Sequence, residues 1–465
     1  MKLKVSSKLS KYILFYFVLF IYIYAPPLSF VPLGINKLIA PLAIVWLLFC
    51  YKTVTQKILL QKHLFIAIFL LAVSIVYAFA TDISTIYAGD LPFTKRNTFS
   101  QTMILVELLP IVLFLSIYAI RKLKFNLEDF LNSFVVVAAI QSFIAITMMF
   151  SPGLRMFIFT TVLGYDPSEE KIFQDHLYAF RSFGFSQDLL FSLSIVQGIA
   201  IACVLNLCLY NFSKYRYSLF LIPPLLVSIL LNARIGLAAL VSFVVVTIIF
   251  GLFRLRVYLL ARFVLFALVS TLIISLSISS VDLFFDTNLE TNVEWALKLF
   301  GDSQNFASGS DENIGNFKSL TGRYWHLPDT PSARTFGEGR YLSGAINSNS
   351  SKLSDLGYVR KVYFGGYIYS FLSYAALICL FIGSQKKQIK SFQPFFYSIL
   401  LTMLLVQFKG DAFLPTPGYR IAFLVLIFAI VERRLRSSAK ARIDPNIASL
   451  VNYRSLEPPS IKKNL

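Results

Sequence analysis

Four arginines stand out in this sequence because they lie in short polar segments between long apolar runs. A guanidinium suits phosphate because its planar fork donates two parallel hydrogen bonds and never loses its charge. Several such side chains meeting at one membrane surface would form a site for the diphosphate of a lipid-linked substrate. Taken singly, each has a simpler interpretation, an interfacial arginine that reaches lipid phosphate or pairs with a loop acid. The four are Arg181, Arg234, Arg323 and Arg340.

Three groups in the longest polar segment could move a proton: Asp355, Glu338 and His326. A general base must reach the hydroxyl that it deprotonates, either directly or through one water. Asp355 also has a structural interpretation. It precedes an apolar run and could cap that helix by accepting hydrogen bonds from free backbone N–H groups. Both interpretations of Asp355 are open, and both roles could hold together.

Signatures of several soluble enzyme classes are missing from the sequence. It has no Gly-rich phosphate loop, no Gly-x-Ser-x-Gly elbow and no His/Cys cluster with metal-ligand spacing. With only three histidines in the chain, we expect neither a metal site nor another cofactor. The four cysteines all lie in apolar runs, so the sequence predicts no disulfide framework.

Composition assigns the chain to the membrane proteins. Its 465 residues are 57% hydrophobic and only 14% charged, whereas roughly a quarter of the residues in soluble proteins are charged. The apolar residues fall in runs near the length of about 20 residues that crosses a bilayer core. We predict an all-α polytopic membrane protein, one domain over residues 1–465 with about twelve transmembrane helices. The predicted spans lie near residues 11–29, 35–51, 63–80, 99–120, 129–150, 188–210, 217–233, 235–253, 257–280, 357–383, 393–408 and 418–432.

The basic residues are distributed unevenly along this pattern. Most of the 43 Lys and Arg fall in short segments on one side of the predicted spans and in the tail, residues 433–465. Short loops rich in Lys and Arg stay in the cytoplasm, so we predict that both termini are cytoplasmic. Two long loops, residues 151–187 and 281–356, then lie on the outer side. The net charge of +19 indicates this orientation and contact with anionic membrane lipids, and it does not indicate a nucleic-acid partner.

Few charges lie inside the predicted spans, and Glu107, close to Pro110, is the main exception. An ionisable residue inside a membrane is by default a functional hypothesis. The alternative is a carboxyl that is protonated or bonded to a neighbouring helix. Transporters concentrate functional polar residues near the bilayer midplane. The charge-poor interior and the long outer loops therefore favour an enzyme, with a flippase or secondary transporter as the alternative of another class.

Four short segments resemble the O-antigen ligase and polymerase superfamily. Asn232–Leu240 is similar to its short turn followed by a helix, and Thr321-Gly322-Arg323 with Trp325 is similar to an element of its large periplasmic loop. Ser354-Asp355-Leu356-Gly357-Tyr358, continuing to Gly365-Gly366, resembles the segment with which Wzy-type polymerases re-enter the membrane. Arg181–Phe185 resembles part of the earlier loop. The ligases generally carry a histidine near where Asp355 stands, and its absence here favours a polymerase and leaves a ligase as the first alternative.

The resemblance implies a GT-C-like membrane fold and inverting glycosyl transfer on the periplasmic face of the bacterial inner membrane. The implied substrate is an oligosaccharide linked to undecaprenyl diphosphate. Its glycan would be transferred to a sugar hydroxyl of the next lipid-linked repeat unit, giving O-antigen or another surface polysaccharide. The arginines would neutralise the leaving diphosphate, a carboxylate would take the acceptor proton, and a protein that regulates chain length is an expected partner.

Overall fold

The structure, a computed structural model, describes residues 7–26, 28, 31, 35–87, 98–162, 184–186, 191–253, 325, 327–338, 356–385, 392–408, 410 and 416–443. Within these ranges every regular element is a helix and none is a strand. In chain order the α-helices are α1 Ser7–Tyr24, α2 Ile35–Leu59, α3 Lys62–Tyr87, α4 Thr98–Tyr118, α5 Leu127–Phe150, α6 Pro152–Phe157, α7 Phe191–Tyr210, α8 Phe212–Tyr215, α9 Ile222–Asn232, α10 Leu237–Phe253, α11 Pro331–Phe336, α12 Gly357–Gln385, α13 Gln393–Val406 and α14 Pro417–Ile443. Short 3₁₀ turns occupy Arg216–Leu221 and Arg234–Gly236, and π turns occupy Ala119–Leu123 and Ile158–Val162.

Six helical stretches in the described part of the chain are long and apolar enough to cross a membrane. They are Ile35–Leu59, Lys62–Thr81, Leu127–Met149, Ser192–Tyr210, Phe212–Asn232 and Gly357–Gln385. The all-α membrane class is therefore confirmed. The count of about twelve spans stays a prediction, and the predicted span at residues 257–280 lies outside the described residues.

Local sequence explains where some of these helices begin. The Asn126 side chain accepts a hydrogen bond from the Asp129 N–H (2.8 Å), and the Asp129 carboxylate accepts one from the Asn126 N–H (3.2 Å). This reciprocal capping box satisfies two donors that the first turn of α5 leaves free. Pro152 and Pro331 are the first residues of α6 and α11. Proline suits this position because a backbone N–H there would have no hydrogen-bond partner within the helix.

Helix α7 lies at the centre of the bundle, and α2 and α3 lie at its rim. In the apolar window of α7, 94% of the residues are buried inside the protein, against 17% in α2 and 33% in α3. The central helix packs against α5, α9, α10, α13 and α14. In a membrane, apolar side chains that the described helices leave uncovered would face lipid tails, which are as apolar as leucine. The exposed apolar side chains of α2 and α3 suit that environment.

Contacts between helix ends show that α1 and α14 run in opposite directions, as do α1 and α4. The Tyr22 hydroxyl, late in α1, donates to the Arg420 carbonyl early in α14 (3.0 Å). At the other end of the bundle the Tyr118 hydroxyl donates to the Lys11 carbonyl (3.5 Å). We call these the loop end and the basic end. The loop end holds Tyr24, Asn232, Gly357 and Pro417, and the basic end holds Lys11, Lys62, Arg216 and Arg433.

The structure describes parts of the two predicted loops and of the predicted tail. Residues 151–187 begin with α6 and a π turn, whose Phe159 is buried in a small apolar cluster with Met148. Residues 281–356 contribute Trp325, residues 327–338 and Leu356. The tail predicted to begin at residue 433 continues α14 to Ile443. The last helix thus extends beyond the predicted span end at residue 432, and the rest of the tail lies outside the described residues.

Candidate functional site

The tight turn that carries Arg234 is anchored to the first two turns of α7. As predicted, only Ala233 and a 3₁₀ turn separate α9 from α10. Gly236 in that turn packs so closely on the Ser194 backbone that an added Cβ would overlap it, and a Cβ on Gly198 would overlap the Gly236 carbonyl. These contacts fix the backbone of Arg234 at the loop end. The Arg234 side chain lies outside the described residues.

The segment that follows Arg181 is anchored on the neighbouring helix, α5. The Phe185 N–H donates to the Gln141 side-chain oxygen (3.3 Å), and the Phe185 ring contacts that of Phe20, with centroids 6.5 Å apart. Next to this contact, the buried Gln197 amide on α7 donates to the Ser142 hydroxyl (3.2 Å). Arg181 itself lies outside the described residues, four positions before Phe185.

Arg420 is a third arginine at this end, and the sequence analysis did not single it out. Arg420 is only 4% exposed. Its Nη1 donates a hydrogen bond to the Tyr22 carbonyl (3.4 Å), and the Tyr22 hydroxyl donates one to the Arg420 carbonyl. Two residues earlier, Gly418 packs against Ile195 of α7. A charged residue three positions into the last apolar run was the signal that could have identified it.

The first two turns of α7 therefore support two segments with arginines, and the segment after Arg181 is anchored beside them on α5. Ser194 and Gly198 contact the turn of Arg234, Ile195 contacts the start of α14, and Gln197 binds Ser142 beside the anchor of Phe185. A helix buried over nearly its whole length is a rigid support for such segments. Arginine-bearing segments held on two neighbouring helices suit a binding site for a multivalent anion.

A second set of contacts brings two predicted motifs together at Phe408, just after α13. The centroid of the Trp325 ring lies 6.3 Å from that of the Phe408 ring, and the centroid of the Tyr358 ring lies 5.2 Å from it. The Tyr358 hydroxyl also donates to the Leu404 carbonyl (2.7 Å). Arg323 stands two residues before Trp325, and Asp355 stands three residues before Tyr358. The backbone segments next to these two candidates therefore share one anchor.

Glu338 is docked at a break in α12. The backbone of α12 is non-helical at Gly365 and Gly366, and the Glu338 N–H donates to the Tyr363 carbonyl just before the break (2.8 Å). The residue before Glu338, Gly337, packs against Gly365 with no room for a Cβ between them. The Tyr77 hydroxyl of α3 donates to the Phe336 carbonyl (2.9 Å). Glu338 is half-buried at this position.

The start of α12 bears on the capping interpretation of Asp355. The Leu356 carbonyl accepts the first helical hydrogen bond, from the Arg360 N–H (2.9 Å), so Leu356 holds the N-cap position. The Gly357 N–H donates to the Gln407 carbonyl (2.7 Å). Asp355 lies outside the described residues, one position before this cap. The position where a side-chain cap acts best is therefore held by leucine.

Gln407, beside the start of α12, was not singled out in the sequence. Its side chain is fully buried, and neither amide atom has a hydrogen-bond partner among the described residues. Its Oε1 faces Gly357, because a Cβ on Gly357 would overlap that atom. A buried amide without partners costs about 1–3 kcal/mol. Gln407 is thus a candidate for binding substrate next to Asp355. A lone Gln at the end of an apolar run carries no sequence signal for this role.

The interior of the bundle contains more charge than predicted. Lys361 of α12 is 1% exposed, and its Nζ lies 5.5 Å from the ring centres of both Tyr369 and Tyr374, a cation–π arrangement. Glu107 is half-buried, and the charges of Lys37 and Arg420 act on it from two other helices. Lys361 and Arg420 thus join Glu107 as charged residues within the predicted spans, and the functional role of Glu107 stays a prediction. Lys361 and Arg420 were missed because both stand near the ends of predicted spans, where snorkelling is the usual interpretation.

The predicted site residues thus divide into three groups. Glu338 and Glu107 are described with their side chains, Arg234 is described by its backbone, and Arg181, His326, Arg323, Arg340 and Asp355 lie outside the described residues. Within the described ranges no three His, Cys, Asp or Glu side chains come together as a metal site would need. No family model, curated protein or solved structure matches this chain.

Proposed function

We propose that this chain is a polysaccharide polymerase of the bacterial inner membrane. It would extend a glycan carried on undecaprenyl diphosphate by inverting glycosyl transfer at the loop end. The observation that supports the proposal most is the common anchor of Trp325 and Tyr358 on Phe408. The segments carrying Arg323 and Asp355 leave from this anchor, so a phosphate-binding cation and a base would work close together there.

In the proposed reaction a sugar hydroxyl of the acceptor repeat unit attacks the anomeric carbon of the donor glycan. A carbon–oxygen bond forms at that carbon while its bond to the diphosphate oxygen breaks, and the electron pair leaves with undecaprenyl diphosphate. Asp355 takes the hydroxyl proton as general base. Because the nucleophile enters opposite the leaving group in one displacement, the anomeric configuration inverts. Glu338 and His326 are the alternative acid/base groups.

Arginines would stabilise the negative charge that develops on the leaving diphosphate. Arg234 lies in a turn fixed on α7 and Arg181 precedes a segment fixed on α5, while Arg323 and Arg340 flank the described residues 325 and 327–338. Each charge-assisted hydrogen bond to a phosphate oxygen contributes about 1.5–3 kcal/mol. Donors already held in position need no reorganisation during the reaction, which is why electrostatic stabilisation by fixed groups is effective. The rigid packing of Gly236 on α7 fits this requirement.

A specific observation favours a second candidate, a transporter of lipid-linked glycans. Transporters build substrate sites from broken helices near the middle of the membrane, and α12 is broken at Gly365 and Gly366. The buried Lys361 and Arg420 are also the kind of intramembrane charge that marks a translocation path. Such a protein would move the lipid-linked unit without changing its glycan.

An assay with the purified full chain separates these functions. Proteoliposomes supplied with undecaprenyl-diphosphate-linked repeat units should give a ladder of lengthening glycans if the chain is a polymerase. A ligase would give no ladder from repeat units alone, and a transporter would give translocated units of unchanged length. Asp329→Asn is a matched control for Asp355→Asn, because Asp329 is an exposed acid of the same polar segment. A ladder made equally well by Asp355→Asn and the wild type would contradict the proposed mechanism.

A further inference from the structure

A cavity of about 450 Å³ opens at the basic end of the bundle, away from the candidate site. Ligand pockets typically enclose about 300–1,000 Å³. Its walls come from the turn that joins α2 to α3 and from the last turns of α14. Nothing in the proposed function uses this cavity.

The cavity is strongly basic. Half of its eight lining residues are Lys57, Lys62, Arg433 and Arg434, and His63 is another of the eight. No Asp or Glu is among the residues that line it in the described part of the chain. Four cations around one concave surface would attract a group with more than one negative charge.

The packing beneath the cavity holds its walls in place. The Arg433 Nη1 donates to the Gly383 carbonyl near the end of α12 (2.7 Å). Gly383 packs directly on His63 of α3, since an added Cβ would lie 2.8 Å from the His63 Cβ. The helices α3, α12 and α14 therefore meet at one point. Burial lowers the pKa of the Arg433 guanidinium, the direction expected for a cation partly withdrawn from water.

Exposed apolar side chains lie beside the cavity. Leu60, which lines it, is 74% exposed, and Phe65, one turn into α3, is 53% exposed. Both belong to the rim formed by α2 and α3, where few residues are buried by other helices. Basic pockets between membrane helices bind anionic lipid head groups. A soluble anion would gain nothing from the apolar rim, whereas a phospholipid would place its acyl chains there.

We propose that this cavity binds the phosphate of an anionic phospholipid, with the head group between α14 and the α2–α3 turn and the acyl chains along α2 and α3. Lys57, Lys62 and Arg434 would bind the phosphate from exposed positions. Arg433, whose side chain also bonds to Gly383, would form the inner wall. The proposal is independent of the chemistry at the loop end.

The test compares the full chain with two triple variants that lose the same charge. The cavity variant is Lys57→Gln/Lys62→Gln/Arg434→Gln, and the control is Lys11→Gln/Lys52→Gln/Lys122→Gln, three exposed lysines of the same end that do not line the cavity. Retention of phosphatidylglycerol and of phosphatidylcholine is measured by native mass spectrometry after detergent purification. Size-exclusion chromatography checks that both variants are folded.

We expect the wild type and the control to retain phosphatidylglycerol in preference to phosphatidylcholine. Because each basic residue near an anionic surface contributes about 1 kcal/mol, the cavity variant should bind phosphatidylglycerol roughly a hundredfold more weakly. Equal loss in the control variant would overturn the proposal, because it would assign binding to the whole basic face. The thermal stability of the wild type is also compared with inorganic phosphate and with phosphatidylglycerol added. If inorganic phosphate alone stabilises the protein as much as phosphatidylglycerol does, the cavity binds a soluble anion and the lipid proposal is overturned.

Discussion

The backbone N–H of Glu338 donates a hydrogen bond to the carbonyl of Tyr363, at 2.8 Å. In an unbroken helix that carbonyl would accept from the residue four positions later. The non-helical backbone at Gly365 and Gly366 opens α12 at this point, so a residue of the long polar segment can bond there instead. The predicted loop 281–356 is thereby attached to α12 through Glu338, one of the candidate acid/base residues.

Because this attachment depends on the backbone of Gly366, we predict that a side chain at that position destabilises the protein. Its φ of 68° and ψ of −172° lie in a region that is almost restricted to glycine, and a Cβ there would overlap the Thr335 carbonyl. Gly366→Ala should therefore lower the free energy of unfolding by about 1–3 kcal/mol and release α11 from α12. Thermal unfolding in detergent measures the loss. Gly153→Ala is the control, because a Cβ on Gly153 meets nothing within 4 Å, and equal stability of the two variants would contradict this account.

Gln407 gives a prediction in which stability and activity change in opposite directions. Gln407→Met keeps the side-chain volume and removes a buried amide that has no partner among the described residues. Relief of an unsatisfied amide should raise stability by about 1–3 kcal/mol. If the amide binds substrate beside Asp355, the same variant should make much less polymer. A variant that is more stable and fully active would remove Gln407 from the site.

The diphosphate site is tested at Arg234 and Arg323. Loss of one charge-assisted contact should cost about 1.5–3 kcal/mol, which is roughly a ten- to hundredfold loss of affinity or rate. Lysine at either position should restore little of the lost affinity or rate, since it lacks the planar fork of arginine. Arg216→Ala is the control, because Arg216 is exposed at the basic end. Polymer of wild-type length and yield from Arg234→Ala, at matched expression, would exclude Arg234 from the site.

Orientation is tested by labelling residue 310, in the longest polar segment and outside the described residues. The Lys/Arg distribution predicts that Ser310→Cys reacts with a membrane-impermeant thiol reagent in intact cells. The four native cysteines should first be replaced, since Cys50 is exposed. If Ser310→Cys is labelled only after lysis, the predicted orientation is wrong, and the loop end faces the cytoplasm.

Sequence alone predicted the class of the fold and the tight turn at Arg234, because long apolar runs with a single residue between the predicted spans leave few alternatives. It could not predict the support of two arginine segments by α7, since contacts such as Gly236 with Ser194 depend on tertiary packing. Lys361 and Arg420 were open to prediction as charges within apolar runs. The docking of Glu338 on Tyr363 was not, because it depends on a helix break that the Gly-Gly pair permits but does not require.

The central claim is that Asp355 is the general base of glycosyl transfer, and Asp355→Asn tests it most directly. Asparagine keeps the size of the side chain and caps helices about as well as aspartate, and Leu356 already holds the N-cap of α12. Loss of a general base typically slows a reaction by about a hundred- to ten-thousandfold. The measurement is the ladder of lipid-linked glycan made by Asp355→Asn, with Asp329→Asn as the control at matched expression. We predict no ladder from Asp355→Asn and a normal one from Asp329→Asn, whereas a normal ladder from both would contradict the claim.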